Sequence, residues 1–346
     1  MSGFGGRALR AAAQLVPHDA VLPFARPAAA FFHGVDAGSG DPALHNNHHE
    51  RGTFLAMVRT LKACFDVLPL EALDDVLKAP DKHARAVFLM ADEGYANTLD
   101  AADILEDFAL PWTLFVATGH IGAQTPNPMF RARAFLRYAQ TGAYTLPHIG
   151  NVDFVEQPRA EEEQRVIAAL KQLHADEARE ALGAMDTILA EAGLGDLATL
   201  FPSDSFLSWD DVRGLAARGV TIGAHGHWHW PMNASQDPAY LVEQASLPKQ
   251  LIEAQIDRPC IAFAYPFGET GDVSREAWQA VRDAGYSCGF TALSGSLDAS
   301  TNRFLLPRHS IGLHDTNIAT TLALLRAGNR RLQRFQHGLR EDGAHT

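Results

Sequence analysis

Cysteine is scarce in this chain: three thiols in 346 residues, Cys64, Cys260 and Cys288, with no C-x-x-C pair among them. A set this small and odd in number argues against a disulfide framework and against a zinc finger, and leaves the thiols as small apolar core residues. Positive charge is also in short supply. Lys and Arg number 29 against 41 Asp and Glu, for a formal net charge of -12. That field repels phosphate backbones, so nucleic acid is not an expected partner. No apolar run approaches the roughly 20 residues that span a bilayer, and no transmembrane segment is expected. The N-terminal stretch MSGFGGRALRAAAQLVPHDAVLPF carries arginines but lacks a continuous apolar core of about 7 to 15 residues, so a secretory leader is not expected and the cytoplasm, or the cytoplasmic face of the membrane, is the expected setting. The SGFGG within it follows no strand, which excludes a nucleotide-binding loop. With 47% apolar and 20% charged residues, the composition is that of a folded globular chain.

What the sequence does contain is an alternation of strands and helices. Ala28–Phe32 is a short apolar run that ends at His33 and Gly34, the shape of a buried strand entering a turn. The polar segment His45, Asn46, Asn47, His48, His49 reads as a solvated loop, after which Phe54, Met57, Val58 and Leu61 recur at helical spacing. AVFLM from Ala86, WTLFVAT after Pro111, VTIGA, CIAFAYPFG and YSCGFTAL read as further strands. Ser208 caps the helix WDDVRGLAAR and Gly219 stops it; Ser274 and Gly285 do the same for REAWQAVRDA. Strands and helices that take turns predict a parallel sheet, here an α/β fold in the form of a distorted (β/α)7 barrel. Between about residues 119 and 206 the alternation breaks. A long stretch there carries the helical stripe Val166, Leu170, Leu173 and predicts a helical insertion. The expectation is one domain over residues 1–328 followed by a polar, frayed tail over 329–346.

In a parallel barrel the chemistry gathers at the C-terminal ends of the strands. After AVFLM come Asp92 and Glu93; after VTIGA come His225, His227 and His229; after CIAFA come Tyr265, Pro266, Phe267 and Gly268; and His33 ends the first strand. Two acids and a histidine pair on one rim suggest metal-assisted hydrolysis. His225 and His229 are four positions apart, the spacing that sets two imidazoles on one side of a helical turn. Such a pair alone arises often by chance. Directly after a buried strand and opposite an acid pair, it points to metal ligation.

These segments carry a resemblance. ADEGYANTLDAADILEDFALPWTLFVATG is similar to the first motif region of NodB-like polysaccharide deacetylases (carbohydrate esterase family 4), IGAHGHWHWP to their histidine motif, and FAYPFG to their third motif, in matching order from about Pro27 to His309. The resemblance implies a metal-dependent hydrolase that removes the acetyl group from an N-acetylated amino sugar in a glycan or glycan precursor. It implies Asp92 as general base and Glu93, His225 and His229 as holders of one divalent ion, zinc by preference. The backbone N–H of Phe267 would meet the tetrahedral oxyanion. AAAFFHGV resembles the early strand-then-histidine form that supplies the general acid, so His33 is the expected acid and His309, in LPRHSI, the alternative. Trp228 either stacks on a sugar face or packs against the insertion; Tyr265 and His309 complete the candidate substrate contacts. Two positions depart from the pattern. Glu93 stands where the family has aspartate, and its extra methylene moves the carboxylate by about 1.5 Å. Ala264 stands where many relatives carry arginine, which predicts that the base lacks its tuning partner. Hydrolysis of a cyclic amide, or a decayed glycan-binding protein, are the competing readings.

Overall fold

The computed structural model describes residues 18–36, 44, 47–123, 126–155, 158–313, 317–323 and 330–339; the N-terminal stretch with SGFGG, and His45 and Asn46, lie outside them. The strands are β1 (Ala28–Phe32), β2 (Gly34–Asp36), β3 (His48–Glu50), β4 (Asp66–Val67), β5 (Ala86–Ala91), β6 (Thr113–Val116), β7 (Ala143–Leu146), β8 (Gly150–Asp153), β9 (Thr221–Ala224), β10 (Ala262–Ala264), β11 (Cys288–Phe290) and β12 (His309–Ser310). Eight of them form a parallel sheet in the order β11-β10-β9-β6-β5-β1-β12, with β4 beside β5.

Every residue of β1 and β5 is buried, as expected of parallel strands covered on both faces. Successive residues feed two separate cores. Ala29, Phe31, Phe88, Met90, Phe115, Ala264 and Phe290 share one, in the interior of the curl; Ala28, Ala30, Phe32, Leu89, Leu114 and Phe263 face the helices in the other. The two edges of the sheet meet through one segment. Leu306 bridges Phe290 of β11, and three residues later His309 pairs with Ala30 of β1. Arg308 lies within that closing segment.

The caps read from sequence are in place. Ser208 accepts a hydrogen bond from the Asp211 N–H and Ser274 from that of Ala277, while Gly219 and Gly285 end their helices at positive φ. Phe54, Met57, Val58 and Leu61 are buried on the helix Arg51–Cys64. All three cysteines are buried, and burial pushes the Cys260 and Cys288 thiols up to about 12, which keeps those two unreactive.

The insertion is helical only in part. The helix Pro128–Tyr138 leads into an antiparallel hairpin, β7–β8, whose turn carries His148 and Gly150 at positive φ. The long helical stretch is broken in two, Arg159–Leu170 and Ala175–Glu191, because the His174 side chain caps the second helix. The expected frayed tail contains the helix Arg330–Gly338, held by the buried side chains of Leu332 and Phe335 at i, i+3 spacing. Among the described residues no helix is long and apolar enough to cross a membrane.

Candidate active site

The ends of β5 and β10 are built alike. At each, a three-residue turn closes on the strand's last turn of chain: the Gly94 N–H bonds to the Asp92 carbonyl at 3.0 Å, and the Gly268 N–H to the Pro266 carbonyl at 2.7 Å. The central residues, Glu93 at φ +76° and Phe267 at φ +61°, occupy the left-handed region. Such turns are strained, by about 1–3 kcal/mol per residue, and collect at functional sites. Glycine must follow. A Cβ at Gly268, itself at φ +64°, would lie 2.6 Å from the Ala292 amide nitrogen. His229 is a third left-handed residue, at φ +50°.

These turns face a cavity of about 340 Å³ that gathers His33, Asp92, Glu93, His225, His229 and Phe267. Asp92 continues the inward parity of Phe88 and Met90 and so points into the barrel interior. There Arg308 grips it with two hydrogen bonds, Nη1 to Oδ1 at 2.7 Å and Nη2 to Oδ2 at 2.8 Å. The guanidinium also donates to the Thr291 carbonyl and lies over the rings of Phe31 and Phe115. Both partners are almost fully buried. Burial alone would raise the Asp92 carboxyl; Arg308, with help from His225, outweighs it and holds the group below the usual range. The expectation that the base has no arginine is therefore corrected. Ala264 is small and faces the same interior, and Arg308 reaches Asp92 from the other side of the barrel closure.

Glu93 points the other way. Its Oε2 accepts from Asn127 Nδ2 at 2.8 Å, and the Tyr95 hydroxyl also donates to it. Its Oε1 lies 3.4 Å from His229 Nε2 and 3.8 Å from His33 Nε2. Burial opposes ionisation of Glu93, but His229, His33 and Tyr95 together lower it, so it stays a carboxylate. Burial also pushes His229 down to about 3 and lowers His225, so both imidazoles are neutral at pH 7.

The four-residue spacing of the histidines does not lie on a helical turn. The loop after β9 brings their rings to 4.9 Å through positive φ at Gly226 and His229. Gln244 holds that loop, accepting from the His227 and Trp228 N–H groups at 2.9 and 3.0 Å. His225 sets Nδ1 2.7 Å from the Ala264 carbonyl. A carbonyl only accepts, so the proton sits on Nδ1 and the Nε2 lone pair faces the cavity, the arrangement of metal-ligating histidines. The 3.4 Å between His229 Nε2 and Glu93 Oε1 is close to that between two ligands on a tetrahedral ion with bonds of about 2.0–2.1 Å. The donor types fit a zinc-like ion. Among the described residues, however, no group of three or more such side chains converges closely enough to hold one. Asn127 bears on this. Its Oδ1 accepts from the Met129 N–H, which turns Nδ2 to His229 Nδ1 at 3.1 Å. For Nε2 to bind an ion, Nδ1 must carry the proton and that contact must open.

Three expected substrate contacts fall elsewhere. Tyr265 is 1% exposed and its hydroxyl donates to the Phe304 carbonyl, so it is a core residue that does not line the cavity. His309 is buried with Nδ1 3.2 Å from the Ser294 hydroxyl, also outside the cavity lining, whereas His33 is part of it. Trp228 lines a second, adjoining cavity. His48 and His49 are not solvated: β3 pairs with β2, His49 Nε2 lies 3.2 Å from the Ile311 carbonyl, and His48 packs edge-on against Tyr95. Sequence reasoning missed Arg308, Asn127 and Tyr95. A charged residue within the apolar run FLLPRHSI was a signal for Arg308, and Asn-Pro at a helix start for Asn127 as a cap. Nothing local says where either side chain aims.

Fold and rim together define a class, a curled parallel (β/α) barrel whose acids and imidazoles gather at the C-terminal strand ends. The sequence signature described as polysaccharide deacetylase matches residues 79–289, more than half of the chain, and the chain belongs to that family. No curated protein matches its sequence significantly. Among solved structures it is similar to the Streptococcus pyogenes deacetylase PplD in complex with acetate, at 15% identity and a TM-score of 0.56 over 86% of this chain and 98% of that one. It is also similar to IcaB from Ammonifex degensii, at 13% identity and 0.56 over 86% and 97%, and to BC0361, a polysaccharide deacetylase from Bacillus cereus, at 13% and 0.52 over 86% and 69%. Identities this low speak to the fold, which is the NodB-like barrel.

Proposed function

We propose that this protein hydrolyses the acetyl group from an N-acetylated amino sugar in a glycan or glycan precursor, with one divalent ion, zinc by preference. The observation that carries the reading is the opposite aim of two adjacent acids. Asp92 is locked to Arg308 inside the barrel, and Glu93 faces the imidazoles of His229 and His33. One suits a base held in its ionised form, the other a ligand.

Glu93, His225 and His229 would hold the ion once their donor atoms draw together around it, and the bound ion would polarise the acetyl carbonyl and make the attacking water more acidic. Asp92 accepts the water's proton. The backbone N–H of Phe267, a residue of the cavity lining, would donate to the developing oxyanion. His33 passes a proton to the leaving amine. Asn127 and Tyr95 fix the Glu93 carboxylate while this happens. The test is acetate release from N-acetylglucosamine oligomers by the purified chain supplied with zinc or cobalt. Release that requires the metal and is abolished in His225→Ala supports the reading. Stoichiometric metal uptake without acetate from any N-acetylated sugar overturns the substrate class, and no metal uptake overturns the ion.

A further inference from the structure

The turn after β10 and the insertion meet at one lysine. Lys171 follows the last turn of the helix Arg159–Leu170 and lines the catalytic cavity. Its ammonium lies 4.5 Å from the centre of the Phe267 ring and 2.7 Å from Asp272 Oδ1. The other carboxylate oxygen of Asp272 accepts from the Glu269 N–H at 3.1 Å. One cation thus bears on the middle of the turn directly and on the residue after it through Asp272.

Lys171 is itself held. The break between the two insertion helices, residues 171–175, is bound to the segment that follows the histidine motif. Asn233 donates to the Lys171 carbonyl at 2.8 Å and Gln236 to the Leu173 carbonyl at 2.9 Å, and the Ala175 N–H donates back to Gln236 Oε1 at 3.1 Å. The side chains of Lys171 and Asp272 are 22% and 3% exposed, so water screens the pair far less than it does a surface ion pair. Phe267 needs such a hold. A left-handed phenylalanine persists only where its surroundings over-determine it. The Pro266 carbonyl, which accepts from the Gly268 N–H, shares one planar trans peptide with the Phe267 N–H and points the opposite way. Whatever fixes the turn therefore also aims that N–H. The ring is the handle, with the Lys171 ammonium over it and the His229 imidazole 5.0 Å away.

Resting on the deacetylase reading, we propose that Lys171 is a positioning residue: by gripping the Phe267 ring it keeps the turn left-handed and its N–H aimed at the developing oxyanion. An ammonium over a ring face attracts it more strongly as water is removed, which is the situation at this shielded wall. Asp272 balances the charge, so the lysine acts on the ring and does not serve as a binding point for an anionic substrate. The insertion thereby governs the rate of the chemical step as well as access to it.

The test uses the full chain supplied with cobalt, with N-acetylglucosamine oligomers as substrate, in wild type, Lys171→Met, Lys171→Arg and Lys171→Met/Asp272→Asn. The double variant leaves no buried carboxylate without its cation. Lys171→Met should lower kcat about tenfold, less than the roughly 100-fold or more that follows outright loss of an oxyanion donor, because the turn still visits its aimed form. KM and the cobalt absorption should stay as in wild type. Lys171→Arg should recover kcat to within about threefold, since a guanidinium also stacks on a ring and pairs with a carboxylate. The double variant should remain as slow as Lys171→Met; a return to the wild-type rate assigns the loss to the unpaired Asp272 and overturns the proposal. An unchanged kcat in Lys171→Met, a rise in KM in its place, or loss of the cobalt absorption overturns it too. The turn is also read without turnover. In protein labelled with ¹⁵N-phenylalanine, the Phe267 amide signal, assigned by its absence in Phe267→Leu, should be one sharp line in wild type and Lys171→Arg, and broadened or doubled in Lys171→Met. That pattern in a protein that releases no acetate from any sugar keeps the positioning role of Lys171 and removes the deacetylase reading. A single sharp line in Lys171→Met overturns the positioning role whatever the activity.

Discussion

The rim of the barrel and the wall of the insertion contribute to one cavity by different physics. The rim residues Asp92, Glu93, His225 and Phe267 follow directly from buried strands, in turns that fix their direction to within a few backbone dihedrals. The wall residues Asn127, Met129, Arg133 and Lys171 come from or beside helices that no strand positions, and they reach the site because the insertion packs over it. The rim sets what the chemistry is. The wall sets how firmly it is held and what may enter.

The largest expected effect is on the rim. Asp92→Asn should cut acetate release by roughly 100-fold or more, through loss of the base. It should also destabilise the fold by about 3–5 kcal/mol, because Arg308 is left as a buried charge without its partner. Arg308→Met should cost a similar amount, and the double variant Asp92→Asn/Arg308→Met should recover much of it in a denaturant titration. If each single variant is as stable as wild type, the buried pair does not support the barrel. The sign of the pH effect is fixed as well. A carboxylate held low stabilises the fold above its unfolded value of about 3.9, and that contribution fades as pH falls through the folded value. In Arg308→Met the lowering cation is gone and burial, which raises Asp92, remains; the acid limb of kcat/KM should therefore move to higher pH. A limb that stays put removes Asp92 from the role of base.

The wall is tested next. Asn127→Ala takes away the amide donor that fixes the Glu93 carboxylate, and should lower metal affinity and turnover by about 10- to 100-fold, the usual cost of losing a group that orients a ligand. Wild-type metal content and rate in this variant would reduce the wall to a cover. Glu93→Asp pulls the carboxylate back by about 1.5 Å from Asn127 and Tyr95, and should weaken metal binding and activity, with Glu93→Gln weaker still through loss of charge. A clear gain in Glu93→Asp would show that the wall accommodates a displaced carboxylate rather than being built for it. The smallest effect belongs to a residue the rim motif suggested and the cavity does not use. Tyr265→Phe should cost about 1 kcal/mol, one buried hydrogen bond, with no change in KM.

How much of this was legible depends on range. The strands, the caps at Ser208 and Ser274, and the acid and histidine pairs at strand ends are short-range facts, written in apolar runs, capping residues and spacings of a few positions. The reading of His225 and His229 as a helical pair failed because a spacing of four has more than one geometry, and here a left-handed residue and Gln244 make the turn. His48 and His49 looked like solvent-facing polar residues, yet pairing with β2 buries them, and no local pattern announces a partner strand.

By itself the sequence determined the parallel alternation, the residues that crown each strand and the family to which they belong, because hydrophobic period and turn chemistry act over neighbouring residues. Only the tertiary structure decided that Arg308, 216 positions from Asp92, closes the barrel and grips the base, that Asn127 joins Glu93 to His229, and that Trp228 turns away from the catalytic cavity into its neighbour. Those contacts depend on how a curled sheet brings its two edges together and on where an insertion comes to rest, and both are settled by packing between segments distant in the chain.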